Sequence, residues 1–315
     1  MTVVFTFPGQ GSQTVGMGQE LADTFPIARA VFDEVDDALG EKLSRVIWEG
    51  PQETLTLTAN AQPALMAVSL AAIRVLQDKG LDLKQSVSMV AGHSLGEYSA
   101  LAAAGSLSIS DAARLLRIRG EAMQAAVPVG EGAMAALLGL DFATAADVAN
   151  KAAQGDICQA ANDNAPGQVV VSGHKEAVER ALVIAKEKGA KRAMLLPVSA
   201  PFHCTLMQPA AEAMRDALGN VDVNDPVVPL VANVEAGPIT TADEIRDGLV
   251  RQVTGTVRWR ESVLNMGQSG ATVLVEIGAG KVLTGLVRRI SRDLEGVAVN
   301  SPADLDGLME RLSSN

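Results

Sequence analysis

The chain runs to 315 residues, 48% of them hydrophobic and 20% charged, with a formal net charge of -11. That length and apolar share are enough for a full globular core, and the acidic balance speaks against a nucleic-acid partner, whose phosphates demand a face of Lys and Arg. Aromatic residues make up only 3%, so the core must come from small and branched aliphatics, as in helices laid on a sheet, and an α/β fold is expected.

Strand-like and helical patterns alternate from the N-terminus. Val3–Phe7 reads as a strand, and residues 27–39 carry Ile27, Val31, Val35 and Leu39 at helical spacing. A further helix is expected from about Pro63 to 79, stopping at Gly80. Residues 87–91 read as a short buried strand, with a small-residue helix over 97–104 directly after it. A strand, a sharp turn and a helix in succession display one residue at the edge of a parallel sheet.

Between Gly132 and Pro197 the rhythm changes. Strand 134–140, helix 143–153, strands 157–161 and 169–172, helix 175–188 and strand 193–196 follow one another, which is the βαββαβ order of a ferredoxin-like unit. A small subdomain over 131–197 is therefore expected as an insertion in a large domain made of 1–130 and 198–315. The large domain resumes with strands at 227–232 and 272–277 around a helix at 243–253. It is read as an α/β-hydrolase-like unit with a central, mainly parallel sheet, and the cleft between the two units is a natural place for a ligand.

No apolar run approaches the ~20 residues of a membrane span, and the N-terminus enters its strand without a basic stretch or a cleavage site. Cys158 and Cys204 are too few for a disulfide framework or a zinc site. A cytoplasmic protein with no metal, no membrane partner and no bound cofactor is the expectation, and a monomer. Two local basic groups stand against the acidic total: Lys281, Arg288, Arg289 and Arg292, and Lys186, Lys188, Lys191 and Arg192. Each reads equally as a solvated helix face or as a docking site for an acidic partner.

Gly92-His93-Ser94-Leu95-Gly96 spells GxSxG. Between a strand and a helix this is a nucleophile elbow, whose glycines permit a strained turn that exposes the serine hydroxyl. The bare pattern is weak, and its context carries the reading. A serine nucleophile needs a base, and the chain has three histidines. His93 sits beside Ser94 on the elbow and must leave the turn in another direction, while His174 opens a helix of the inserted unit. His203 lies where the chain re-enters the large domain, and is the candidate base. No acidic residue stands out by position to orient its imidazole, which leaves a backbone or amide acceptor open.

A helix over 111–127 places Ala112, Leu115, Leu116, Ala122, Met123 and Ala126 on one stripe, with Arg119 in the middle of it. Arg114, Arg117 and Glu121 fall on another face as ordinary solvated charge. An arginine directed at a core must be paired, either by an internal carboxylate or by one that a ligand brings. The Pro8–Gln13 loop could turn backbone N–H groups toward a phosphate or an oxyanion, but Thr14 breaks the dinucleotide fingerprint. Gly278-Ala279-Gly280-Lys281 fails as a P-loop, because Val275 and Val282 stand where a glycine and a Ser or Thr belong.

Together these residues resemble the malonyl-CoA:acyl carrier protein transacylases of fatty-acid synthesis and the related acyltransferase domains of polyketide synthases. The shared stretches are PGQGSQ at 8–13, NAQPAL at 60–65, GHSLGEY at 92–98, Arg119-Gly120 and NAPGQVV at 164–170. PVSAPFH at 197–203, RQV at 251–253 and EIGAGKVLTGL at 276–286 continue the series in family order over nearly the whole chain. The resemblance implies that Ser94 attacks the malonyl thioester of malonyl-CoA and that His203 takes its proton. It implies that the Gln252 backbone carbonyl orients the imidazole, and that the N–H groups of Gln10 and Leu95 form the oxyanion hole. Arg119 would pair with the malonyl carboxylate, Gln62 and Asn162 would border the pocket, and Phe202 is the form associated with malonyl units. The partner would be acyl carrier protein, reached by a ping-pong reaction. A serine hydrolase or thioesterase shares Ser94 and His203 but has no use for Arg119, and a non-catalytic carrier-binding scaffold has no use for either.

Overall fold

The computed structural model describes residues 1–313. The chain lays down β1 (Val3–Phe7) and β2 (Met89–Gly92), then β3 (Gly132–Leu138), β4 (Cys158–Ala165), β5 (Gln168–His174) and β6 (Arg192–Leu195). It closes with β7 (Leu230–Val231), β8 (Pro238–Ile239), β9 (Val273–Ile277) and β10 (Glu295–Val299). Two sheets result. The larger has the order β10-β9-β1-β2-β7-β8, parallel throughout except for the short β8, which runs against β7. β1 sits inside it with all five residues buried: a strand with no polar face needs helices on both sides, which is what a parallel sheet provides.

Chain order runs from β1 outward to β2 and β7, then jumps back across β1 to β9 and β10. Loops leaving the C-terminal ends of β1 and β9 therefore diverge, and such a switch point opens a crevice beside the loop that follows β1. The smaller sheet is antiparallel with the order β4-β5-β3-β6, which within its own four strands is the ferredoxin-like arrangement. Helices Phe142–Ala153 and Lys175–Glu187 cover it and enclose a separate apolar core around Val148, Val169, Val171 and Val178. A parallel bridge from Asn162 to Val257, and Arg260 on the buried Asp163 carboxylate at 2.9 Å, fasten this sheet to the larger unit.

Three elements depart from expectation for physical reasons. The helix expected from Pro63 begins at Thr58 and ends at Asp78. Thr58 and Gln62 point inward onto hydrogen-bond partners, and an apolar period does not register inward polar residues. By length and composition this helix could cross a membrane, yet 83% of its apolar window is buried in the protein core. The expected strand at 227–232 contracts to Leu230–Val231, because Pro229 has no N–H for a ladder. Arg117 is not a solvated charge: its side chain is 17% exposed, donates to Asn60 Oδ1 at 2.7 Å and pairs with Glu41.

Candidate active site

β2 delivers the chain into a turn so tight that two positions admit no side chain. A Cβ on Gly92 would lie 1.9 Å from the Gly96 carbonyl, and one on Gly96 would lie 2.3 Å from the Phe7 carbonyl oxygen. Between them Ser94 adopts φ 54°, a left-handed conformation costly for a residue with a Cβ. Asn233, from the loop after β7, clamps the turn. Its Oδ1 accepts from the Ser94 N–H at 2.7 Å and its Nδ2 donates to the Gly92 carbonyl at 2.6 Å. Sequence reasoning passed over Asn233. Its position two residues past β7, the neighbour of β2, and so at the same end of the sheet as Ser94, was the available signal.

The tight turn directs Ser94 Oγ toward His203, whose Nε2 lies 2.8 Å away. His203 is 4% exposed and its Nδ1 lies 2.9 Å from the Gln252 backbone carbonyl. A carbonyl oxygen only accepts, so Nδ1 carries the proton and Nε2 presents a lone pair to the serine hydroxyl. Burial, reinforced by the Arg119 charge, pushes the imidazole pKa down to about 3. The ring is neutral at any ordinary pH, as a proton acceptor must be.

Gln10 and Leu95 both line the cleft beside Ser94, and their backbone N–H groups make no hydrogen bond among the described residues. The cleft encloses about 370 Å³ and is also lined by His203, Arg119, Gln62, Asn162 and Phe202. Gln252 stands behind this wall, fully buried. Asn162 enters from β4 at an irregularity in the strand register, which turns it toward the crevice rather than along the sheet.

Arg119 is 1% exposed. It lies on helix Ile109–Ala125, which crosses helix Thr58–Asp78 at Gly120, where a Cβ would stand 2.6 Å from the Ala59 Cα. That close approach brings the guanidinium to Gln62, whose Oε1 accepts from Nη1 at 2.7 Å. Nη2 donates to Gln252 Oε1 at 2.8 Å and to Ser94 Oγ at 3.1 Å, and the group lies over the Tyr98 ring at 5.7 Å. No carboxylate forms an ion pair with it among the described residues, and its Nε has no partner there. The internal-carboxylate alternative is thereby disfavoured: this buried cation is held by neutral amides.

The acid whose charge acts on Arg119 is Glu97, fully buried. Its Oε2 accepts from the Asn233 N–H at 2.9 Å and from Gln252 Nε2 at 3.1 Å, while Oε1 has no partner. Burial raises its pKa to about 7. Gln252 thus does more than offer its carbonyl: its side chain ties Arg119, Glu97 and the Ser94 carbonyl together. Neither side-chain role was legible in the sequence. His93 leaves the elbow as expected, to meet Asn164 Oδ1 at 2.8 Å. His174 opens helix Lys175–Glu187 as expected, and its Nδ1 accepts from the distant Ile157 N–H at 3.0 Å. The Gly278–Lys281 segment forms the tight connection after β9, with the Gly278 N–H on the Val299 carbonyl.

Chemically, this assembly can transfer an acyl group. A hydroxyl is aligned on a neutral imidazole, two amide N–H groups stand beside it, and a cation lies within reach of the acyl tail. Its relatives do that chemistry. Malonyl CoA-acyl carrier protein transacylase of Escherichia coli K12 is 49% identical over 306 residues, spanning 97% of this chain and 98% of its own. The crystal structure of acyl-carrier-protein-S-malonyltransferase from Bartonella henselae superposes with a TM-score of 0.98 at 57% identity, covering 99% of this chain and 100% of that one. A malonyl-transacylase solved in complex with a type II PKS acyl-carrier protein superposes at 0.95 with 45% identity over 100% of both chains. The acyl transferase domain model matches residues 4–312, so nearly every element described above falls within that match, and the chain belongs to the acyl transferase domain family.

Proposed function

We propose that the protein transfers the malonyl group from malonyl-CoA to the phosphopantetheine thiol of an acyl carrier protein, through an ester on Ser94, in fatty-acid synthesis. The observation that carries this is the buried Arg119 guanidinium, without a carboxylate partner and 3.1 Å from Ser94 Oγ. A cation that close to the nucleophile suits an acyl group whose carboxylate lies only a few bonds from its reacting carbonyl. An uncharged acyl chain would leave it unpaired.

In the first half, Ser94 Oγ attacks the thioester carbonyl while its proton passes to His203 Nε2. The oxyanion is received by the Gln10 and Leu95 N–H groups, the C–S bond breaks, and the imidazolium returns its proton to the departing CoA sulfur. In the second half the carrier thiol gives its proton to Nε2 and attacks the ester, and Ser94 Oγ leaves with that proton. The reaction requires no metal or bound cofactor. Docking of an acidic carrier on an acidic enzyme would use a local basic face, either the 281–292 or the 186–192 group.

Replacing Arg119 with Ala tests the reading against hydrolase action on neutral esters. Malonyl transfer should fall by about 100-fold or more, and acetyl transfer by far less, because only malonyl loses a charge-assisted pair. Equal losses for the two acyl groups, or failure to find a malonyl ester on Ser94 by mass spectrometry, would overturn it.

A further inference from the structure

Thr58 joins Arg119 to the loop that carries Gln10. Three hydrogen bonds run in one direction between them. Arg119 Nη1 donates to Gln62 Oε1 at 2.7 Å, Gln62 Nε2 donates to Thr58 Oγ1 at 3.0 Å, and Thr58 Oγ1 donates to Gln10 Oε1 at 2.9 Å. The direction is dictated by chemistry. A guanidinium can only donate, the same amide must then turn its N–H toward Thr58, and the hydroxyl has its proton left for the Gln10 carbonyl oxygen. Thr58 and Gln62 are each 1% exposed, so water does not compete for the first two bonds, while the third is part-buried at the edge of the Gln10 loop.

Gln10 lies between two glycines in the turn after β1, and the hydrogen bond from Thr58 is the side-chain tie that holds it. That same residue lines the cleft beside Ser94, and its backbone N–H has no partner among the described residues. We propose that Thr58 is a positioning residue: through the Gln62–Thr58–Gln10 chain it couples pairing of the acyl carboxylate with Arg119 to the placement of the Gln10 N–H over the reacting carbonyl. This rests on the reading of Arg119 and Gln10 given above and deepens it. Carboxylate recognition is then expressed in the rate of acylation as well as in binding, since hydrogen-bonded chains in a buried setting polarise one another.

The test is a double-mutant cycle on Ser94 acylation by malonyl-CoA and acetyl-CoA, followed by single-turnover kinetics. T58V keeps the shape and removes the hydroxyl. Residues acting through one network couple strongly, so T58V should slow malonyl acylation about 10-fold in the wild-type background and less than about 2-fold in R119A. The loss should fall on kcat rather than KM, acetyl acylation should change less than about 3-fold, and T58S should restore the malonyl rate. Should T58V fail to fold, Gln10→Met removes the acceptor at the other end of the chain from a partly exposed loop and should slow malonyl acylation about 10-fold in the wild-type background and less than about 2-fold in R119A. Equal factors for T58V in the two backgrounds, or a T58S enzyme as slow as T58V, would refute the coupling. Wild-type protein that never acylates with malonyl would instead refute the function on which it rests, so the two failures are distinguishable.

Discussion

Asn233 offers the sharpest test of how the elbow is held. Asn233→Ala deletes the acceptor of the Ser94 N–H and the donor to the Gly92 carbonyl, bonds of 2.7 and 2.6 Å at a residue with no exposed surface. Each orphaned buried backbone group costs about 1–3 kcal/mol, so the variant should lose about 2–5 kcal/mol in a denaturant titration. Chemistry should suffer beyond that. Ser94 is held at φ 54°, a strained state worth roughly 1–3 kcal/mol. Without the clamp, the turn relaxes and Oγ drifts from the 2.8 Å contact with His203. A misplacement near 1 Å costs on the order of 100-fold, so single-turnover malonyl acylation should fall by about that factor under conditions where the variant remains folded. Asn233→Asp keeps the acceptor and loses the donor, and should fall between. An Ala variant destabilised as expected but acylating at the wild-type rate would show that the turn holds itself, and the reasoning would fail.

Glu97 makes an opposing pair with His203 in stability. The Glu97 pKa is raised from 4.5 to about 7, so the stability its retained proton contributes is fully present below pH 4.5 and lost as pH rises through 7, about 3 kcal/mol in all. His203 is lowered from 6.5 to about 3, so its contribution is present above pH 6.5 and lost as pH falls toward 3. Between pH 5 and 7 the two slopes nearly cancel. Glu97→Gln should unmask the histidine, with unfolding free energy rising by about 2 kcal/mol from pH 5 to 7 relative to wild type; parallel pH profiles for the two proteins would contradict this. Gly96→Ala should abolish soluble folded protein or destabilise it by several kcal/mol, because its methyl would meet the Phe7 carbonyl at 2.3 Å. A normally folded variant, judged by circular dichroism and denaturation midpoint, would refute that close approach.

What the sequence determined by itself was whatever is local or periodic. The strand at Val3–Phe7 and the two-helix, four-strand order of the inserted unit follow from side-chain period. Ser94 followed from the GxSxG spacing, and Arg119 stood out as a charge on an apolar stripe. Gln252, Gln10 and Leu95 are different, because a backbone carbonyl or N–H carries no residue signature, and only family likeness pointed to them. Tertiary structure alone decided the pairing between distant segments. It brought Asn233 to Ser94, Glu97 to the Gln252 amide, and Thr58 between Gln62 and Gln10. Those residues are ordinary polar side chains in the sequence, and their meaning is set by which partner each finds when buried. A buried hydrogen bond is a relation between two positions, and neither position alone contains it.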